Sequence, residues 1–276
     1  MKTDALDPIS SFQYKTFLDE LLYADWESPF SPLQFIGRLT LAEASRSTFF
    51  LNARCFLKAL AEQKGASLTA TGNLNRAFVA SILDHLNLDK PYREMLLKIN
   101  KAINEMDVWP LHLARVICEI AKLVQKRKKQ IHLTPAGRAL LAGDQAGELY
   151  RRLFIVYFGE FDLRYDFHLR DVPALQPTIG VILHRLDRIA RDWIPVRGLC
   201  DQVLLENVHE ELRATMVYQY DTEEWILAGY LLNPLRRFVL IEKQKKTEWP
   251  GVDEKDSIRT TELWRKFISF PQTQNN

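Results

Sequence analysis

The sequence predicts a mainly α-helical fold with small β-hairpins. Apolar residues recur mostly at spacings of three and four, which is typical of helices that bury one face. The 276 residues include 11 glycines and 12 prolines, too few for a chain dominated by tight β-turns. In addition, a segment made of a short strand, a lysine-rich turn, a second strand and a helix occurs twice.

The repeated segment indicates an internal duplication. The first copy runs over 123–129 and 131–141, and the second over 240–246 and 258–268. The opening strand recurs 117 positions later and the closing strand 127 positions later, so the second hairpin carries ten extra residues. A helix followed by a basic β-hairpin is the usual order of a winged helix. We therefore predict two winged-helix-like modules.

Three segments are predicted in order. Residues 1–48 form an N-terminal helical extension, 49–144 form module 1, and 145–276 contain a connecting helix followed by module 2. Apolar periodicity predicts the helices of these segments. They cover 12–23, 49–63, 75–85, 91–104, 110–122, 135–142, 148–158, 178–193, 196–208, 223–232 and 234–238.

Several helix ends in module 1 have a local reason. Lys64-Gly65 follows the apolar stripe of 49–63 as a last-turn cation and a terminating glycine. Asn73 or Asn75 can cap the next helix through its side-chain oxygen. In Trp109-Pro110, the proline occupies a first-turn position, where the missing N–H costs no hydrogen bond. Thr134-Pro135 starts the helix after the hairpin in the same way.

Two stretches resemble bacterial proteins of the winged-helix class. These are Leu68-Thr69-Ala70-Thr71-Gly72-Asn73-Leu74-Asn75-Arg76-Ala77-Phe78-Val79 and Leu133-Thr134-Pro135-Ala136-Gly137-Arg138. The first is also similar to uncharacterised bacterial proteins. The resemblance covers about residues 49–143. A weaker resemblance covers 174–270, where Trp264 stands at the position that corresponds to Gly137. It implies a DNA-binding or a protein-binding module.

Positive charge is concentrated in the middle of the chain. The net charge is +2, but 38–143 hold 17 Lys and Arg against 8 Asp and Glu, a balance of +9. The preceding 37 residues sum to −4 and the remainder to −3. A positive field favours phosphate-bearing or acidic partners, although basic segments are also common on ordinary protein surfaces.

The basic hairpins supply the candidate nucleic-acid contacts. In the first wing, four consecutive cations can reach backbone phosphates, or can instead keep a turn solvated and block edge pairing. Arg115 and Lys122 are predicted as adjacent helix contacts, beside His112 and Glu119 on the polar side of the same helix. The full predicted set is Arg115, Lys122, Lys126, Arg127, Lys128, Lys129, Lys243, Lys245 and Lys246.

Two features weaken the nucleic-acid hypothesis, one for base reading and one for phosphate contact. One arginine beside a glutamate is a thin set for reading base edges. The second wing also contains Glu248, Asp253, Glu254 and Asp256, which would repel phosphates.

No residue pattern predicts catalysis, a cofactor or a metal site. The six histidines and three cysteines lack metal-ligand spacing, and phosphate-binding glycine motifs and nucleophile motifs do not occur. A hydrolase with carboxylates gathered in space stays open as a third possibility. The first residues lack a signal-peptide pattern and no apolar run has membrane-spanning length, so we expect a cytoplasmic protein with no membrane contact.

The leading hypothesis is a nucleic-acid-binding or regulatory protein that contacts duplex DNA through its basic wing. The alternative is a non-enzymatic scaffold for protein–protein interaction, in which the acidic N-terminal segment or the aromatic residues of 150–167 engage a protein partner.

Overall fold

The fold is mainly helical with small antiparallel sheets, which confirms the predicted fold class. The computed structural model describes residues 11–167, 171–216, 222–244 and 250–271. In that part of the chain, short antiparallel strands form one two-stranded sheet and two three-stranded sheets. No helix in the described ranges is both long and apolar enough to cross a membrane.

The N-terminal segment is anchored on the C-terminal half of the chain. It consists of α1 (Ser11–Leu22), β1 (Gln34–Phe35) and α2 (Leu41–Ala44). α1 packs against the helix Ile179–Ile189, and β1 pairs with the strand Ile268–Ser269. Phe17 and Leu21 of α1 are buried there.

The first unit places a hairpin directly after a buried helix. Its elements are α3 (Thr48–Glu62), β2 (Ala66–Ser67), α4 (Arg76–Leu83), α5 (Lys90–Ile99), α6 (Trp109–Ile120), β3 (Val124–Arg127), β4 (Gln130–Leu133) and α7 (Pro135–Ala139). Asn75 caps α4 by accepting from the Phe78 amide at 2.8 Å. The strand order β2–β4–β3 closes the sheet on α3 and α6.

The connecting helix changes its winding before it ends. α8 (Ala146–Ile155) continues as a π-helical segment, Val156–Glu160, and α9 (Leu163–Phe167) follows. Tyr150, Phe154 and Phe158 are fully buried. The Phe154 ring centroid lies 5.3 Å from that of Phe238. The aromatic residues of this segment that are buried therefore form core between the two halves.

The second unit repeats the order of elements. They are α10 (Ile179–Ile189), β5 (Ile194–Pro195), α11 (Cys200–Val203), α12 (Glu206–Thr215), α13 (Glu223–Leu227), a π-helical segment (Ala228–Leu232), α14 (Asn233–Arg237), β6 (Ile241–Gln244), β7 (Ser257–Thr260), α15 (Glu262–Phe267) and β8 (Ile268–Ser269). The single helix predicted over 196–208 is wrong. Leu204 and Leu205 are extended and separate α11 from α12.

Corresponding hydrogen bonds relate the two units. The Thr134 hydroxyl donates to the Lys122 carbonyl at 2.9 Å, and the Thr261 hydroxyl donates to the Val239 carbonyl at 2.7 Å. Lys122 and Val239 both have φ of +58°. Strands β3 and β6 are 117 positions apart, and β4 and β7 are 127 apart. The offsets predicted from the sequence are thus those of the paired strands.

Candidate nucleic-acid interface

The predicted first wing, residues 124–133, is a tight two-residue hairpin. Arg127 pairs with Gln130 across it, which leaves Lys128 and Lys129 as the turn. Their φ angles are +51° and +60°. Positive φ at both central positions is the mark of a type I′ turn, which favours Asn-Gly. A side chain with a Cβ costs about 1–2 kcal/mol in this region relative to ordinary backbone, so this turn holds two lysines where other residues would be more stable.

Most of the wing's positive charge faces solvent. Arg127, Lys128 and Lys129 are exposed, and no ion pair joins these three to any described carboxylate within 4 Å. Lys126 contacts Glu119 at 2.9 Å, while its side chain stays 47% exposed. The tip thus presents three exposed cations without a carboxylate partner among the described residues, and the neighbouring Lys126 is partly neutralised.

Lys122 lies at the base of the hairpin, in the turn between α6 and β3. It is exposed. A strand rises about 3.3 Å per residue, which puts Lys122 roughly 15–20 Å from the wing tip. Successive phosphates of one DNA strand are separated by about 3.4 Å along the helix axis, so a distance of about 15–20 Å spans several of them. Lys122 and the tip could therefore contact separate phosphates but not the same one.

Arg115, predicted as a helix contact adjacent to the wing, is buried rather than exposed. The residue is 4% exposed. Its Nε donates to Glu105 Oε1 at 2.5 Å, and its Nη1 donates to Glu119. A guanidinium held between two carboxylates inside the protein cannot reach a phosphate outside it. The rest of α6 is also largely enclosed, with residues 111–115, 117 and 118 buried.

Glu105 organises a buried polar network around α6. It accepts from Arg115, contacts His112 Nδ1 at 2.6 Å and accepts from the Leu74 amide. The other ring nitrogen of His112 lies 2.6 Å from the Tyr165 hydroxyl. Burial alone would raise the pKa of Glu105, but the hydrogen bond from His112 and the charge of Arg115 hold that pKa below its ordinary value. The polar side of α6 therefore faces protein.

A second buried carboxylate ties α6 to the second unit. Asp166 accepts from Trp109 Nε1 at 2.8 Å, from Arg237 Nη2 at 2.7 Å and from the Tyr157 hydroxyl. Burial would raise the pKa of Asp166, but the charge of Arg237 and these hydrogen bonds lower it. Both networks escaped the sequence analysis, because their carboxylates do not stand at the helical spacing of three or four residues from the groups they bind.

The second wing does not copy the charge of the first. Lys243, predicted as a phosphate contact, has a side chain only 8% exposed, and its Nζ lies 3.1 Å from Asp256 Oδ2. It also donates to the Gly251 carbonyl at 2.5 Å. This buried ion pair replaces the predicted solvent-facing cation. Lys245 and Lys246 lie outside the described residues.

Two other kinds of site can be judged from the described residues, a metal cluster and a reactive thiol. Across the described ranges, no group of three or more His, Cys, Asp and Glu side chains could hold a metal ion. Cys55, Cys118 and Cys200 are free thiols, and burial raises the pKa of each. Thiols with raised pKa values are poor nucleophiles at neutral pH.

The sequence similarity of this chain to known proteins lies in the first unit. Residues 45–147 match the family model described as the Y4jL N-terminal domain. Over 84 residues the chain is 33% identical to the uncharacterised protein y4jL of Sinorhizobium fredii. That alignment covers 30% of this chain and 38% of the relative, so the chain spans well under half of the relative's length. No solved structure matches the chain. The matched region contains the first wing, α6 and Glu105, and the first unit is therefore similar to a Y4jL N-terminal domain.

Proposed function

We propose that this chain is a nucleic-acid-binding protein built from two winged-helix modules, and that its first wing contacts duplex DNA through phosphates. The winged-helix proposal draws support from the order of elements in both units and from the matching strand orders β2–β4–β3 and β5–β7–β6. Binding to a bacterial chromosome would place the protein in the cytoplasm.

One observation carries the nucleic-acid proposal: Lys128 and Lys129 occupy a turn with two positive φ angles. A turn needed only for solubility could use Asn-Gly, which adopts this backbone more readily. Backbone held in a sparsely populated region is a reason to look for function. Retaining lysine at both positions puts two ammonium groups at the far end of the finger, where they can follow a phosphate backbone.

The proposed binding is independent of base sequence. Winged and helix-turn-helix proteins usually read bases with side chains of the helix that precedes the wing. Here that helix is α6, and its Arg115 and His112 are buried and occupied by Glu105. Contacts to phosphates alone position a protein on DNA but carry no direct sequence information.

The test is the salt dependence of DNA affinity. Fluorescence anisotropy would be measured with two duplexes of unrelated sequence, between about 50 and about 200 mM salt, where phosphate contacts dominate the change in affinity. We expect equal affinity for both duplexes. In the variant Arg127→Gln, Lys128→Gln, Lys129→Gln, the slope of log affinity against log salt should fall by about 0.9 for each lost contact.

A matched control separates the wing from overall charge. The variant Lys58→Gln, Lys98→Gln, Lys101→Gln removes the same charge from exposed positions outside the hairpin. If both triple variants lower the slope equally, the wing is not the contact. Strong preference for one of the two duplexes would contradict sequence-independent binding.

The alternative, a protein-interaction scaffold, is favoured by α5. Met95 and Ile99, four residues apart and hence on one face of this helix, are 52% and 68% exposed, and Leu97 on another side is 53% exposed. Exposed apolar side chains close together often mark protein contacts. Analytical ultracentrifugation would compare the molecular mass in solution of the parent protein with that of the variant Met95→Ser, Leu97→Ser, Ile99→Ser. The scaffold would be favoured by two results together. The parent self-associates and the variant does not, and the parent binds neither duplex at low salt.

A further inference from the structure

A cavity of about 710 Å³ lies between the N-terminal segment and the connecting helix. Its volume falls within the range of about 300–1,000 Å³ that is usual for small-molecule sites. None of its lining residues belongs to the hairpin of the first wing. The accessible apolar surface of the cavity includes Leu22, Trp26, Pro173 and Pro177, and polar groups form a comparable share of the lining.

The structure of the connecting helix shapes this cavity. Phe158, Gly159 and Glu160 line it from the π-helical segment, and π-bulges of this kind are frequent at functional sites. At Gly159, an added Cβ would lie 3.5 Å from the Trp26 ring, so the indole packs directly over bare backbone. Trp26 thereby forms one wall without filling the space.

The polar lining is strongly acidic. It contains five carboxylates, Asp25, Glu27, Glu160, Asp162 and Asp171, and one cation, Arg164. Arg164 binds Asp162 at 2.7 Å and Asp171 at 2.8 Å. Arg152, outside the lining, contacts Glu27 at 2.7 Å and Glu160 at 3.5 Å. Two arginines therefore form ion pairs with four of the five carboxylates, which leaves an excess of negative charge at the cavity.

Asp25 and Trp26 mark where a cation would be favoured. Asp25 Oδ1 accepts from the Glu27 amide at 2.9 Å, and among the described residues it has no ion pair within 4 Å. The next residue, Trp26, keeps part of its side chain accessible in the same lining. Aromatic faces attract organic cations, and a carboxylate attracts them as well.

We infer that this cavity binds a small organic cation, namely a protonated amine carried on an aromatic or branched apolar body. The apolar body would pack against Trp26 and Pro177, and the ammonium would lie at the carboxylates. The inference does not depend on DNA binding. It identifies the chemistry of the ligand from two complementary features, apolar walls and a net negative lining, in one cavity.

The experiment compares probes that differ in charge but hardly in shape. Benzylamine, 2-phenylethylamine and tryptamine would each be titrated by isothermal calorimetry beside the corresponding alcohol and carboxylate. We expect saturable binding of at least one amine, with its alcohol weaker by about tenfold or more, as the loss of one charge-assisted contact predicts. Chemical-shift changes should include the Gly159 amide.

Two isosteric variants locate the site. Asp25→Asn should weaken amine binding about threefold to tenfold, in keeping with the strength of a partly exposed charge pair. Glu20→Gln, on an exposed position of α1 outside the lining, should leave it unchanged. Failure of every amine to bind below about 10 mM, the weak end of ligand affinities, would overturn the inference. Binding of the carboxylates as tightly as the amines would also overturn it, because Arg164 would then govern the site.

Discussion

Arg115 and Glu105 form a buried ion pair, with Nε and Oε1 2.5 Å apart and both side chains at most 5% exposed. Arg115 stands on α6 and Glu105 on the short 3₁₀ turn before it. This contact turns a polar side chain of α6 into the protein. In the proposed function, the hairpin is therefore the surface that contacts the nucleic acid.

We expect Arg115→Met to destabilise the protein by about 3–5 kcal/mol, since removing one partner leaves Glu105 as an uncompensated buried charge. Urea unfolding followed by circular dichroism measures this. Lys101→Met, at an exposed position, is the control and should change the free energy of unfolding by less than about 0.5 kcal/mol. An Arg115→Met protein of unchanged stability but weakened DNA binding would show that Arg115 is a DNA contact after all.

Lys128→Asn with Lys129→Gly should stabilise the hairpin and weaken DNA binding at once. Asn-Gly suits two positive φ angles, and relief of strain at each position is worth about 1 kcal/mol. The control, Lys128→Arg with Lys129→Arg, keeps the charge and should keep the affinity. Thermal unfolding and anisotropy would be measured on both. If the Asn-Gly protein binds DNA as tightly as the parent, the tip makes no phosphate contact.

Lys243→Met should act on stability alone. It leaves Asp256, whose side chain is fully buried, without its cation, at a cost of about 3 kcal/mol or more. DNA affinity should stay the same, because Lys243 does not face solvent. Chemical denaturation measures the free energy of unfolding of this variant, and fluorescence anisotropy measures its DNA affinity. A loss of DNA affinity at full stability would restore the second wing as a phosphate contact.

Glu105 and Asp166 should make the fold sensitive to acid. Their ordinary pKa values are 4.5 and 3.8, and the folded protein lowers both. The unfolded chain therefore takes up these protons first, and stability is lost as pH falls from about 4.5 through the lowered values. Asp166→Asn should be less stable at pH 7 and should lose less stability on acidification. A steeper acid dependence in this variant than in the parent would contradict the assignment.

Gly137→Ala should destabilise the first unit by about 1–3 kcal/mol, a typical cost of overpacking. A Cβ there would lie 2.2 Å from the Leu123 carbonyl oxygen. Gly143→Ala is the matched control, since a Cβ at Gly143 would meet no atom within 4 Å. Equal thermal unfolding of the two variants would show that α7 can move away from the hairpin. The second unit holds the buried Trp264 at the corresponding position.

The sequence by itself determined the elements whose causes are local. Helical periodicity, caps such as Asn75 and Thr134, and alternation around the lysine turn depend on neighbours a few residues away. For this reason the hairpin 124–133 and the offsets of 117 and 127 agree with the paired strands. The duplication could be seen because each copy carries the same local signals.

Only the tertiary structure decided which polar side chains face solvent. Arg115 and Lys243 look like surface cations in the sequence, but Glu105 and Asp256 neutralise them inside the protein. A helical stripe of polar residues predicts a solvent-facing side only when nothing else covers it. Here Tyr165 and the 3₁₀ turn at 105–107 cover α6. A buried charge is tolerated only when an opposite charge and hydrogen bonds compensate for its desolvation. The folded structure brings these partners together, because they lie 10 and 13 residues apart rather than at a helical spacing.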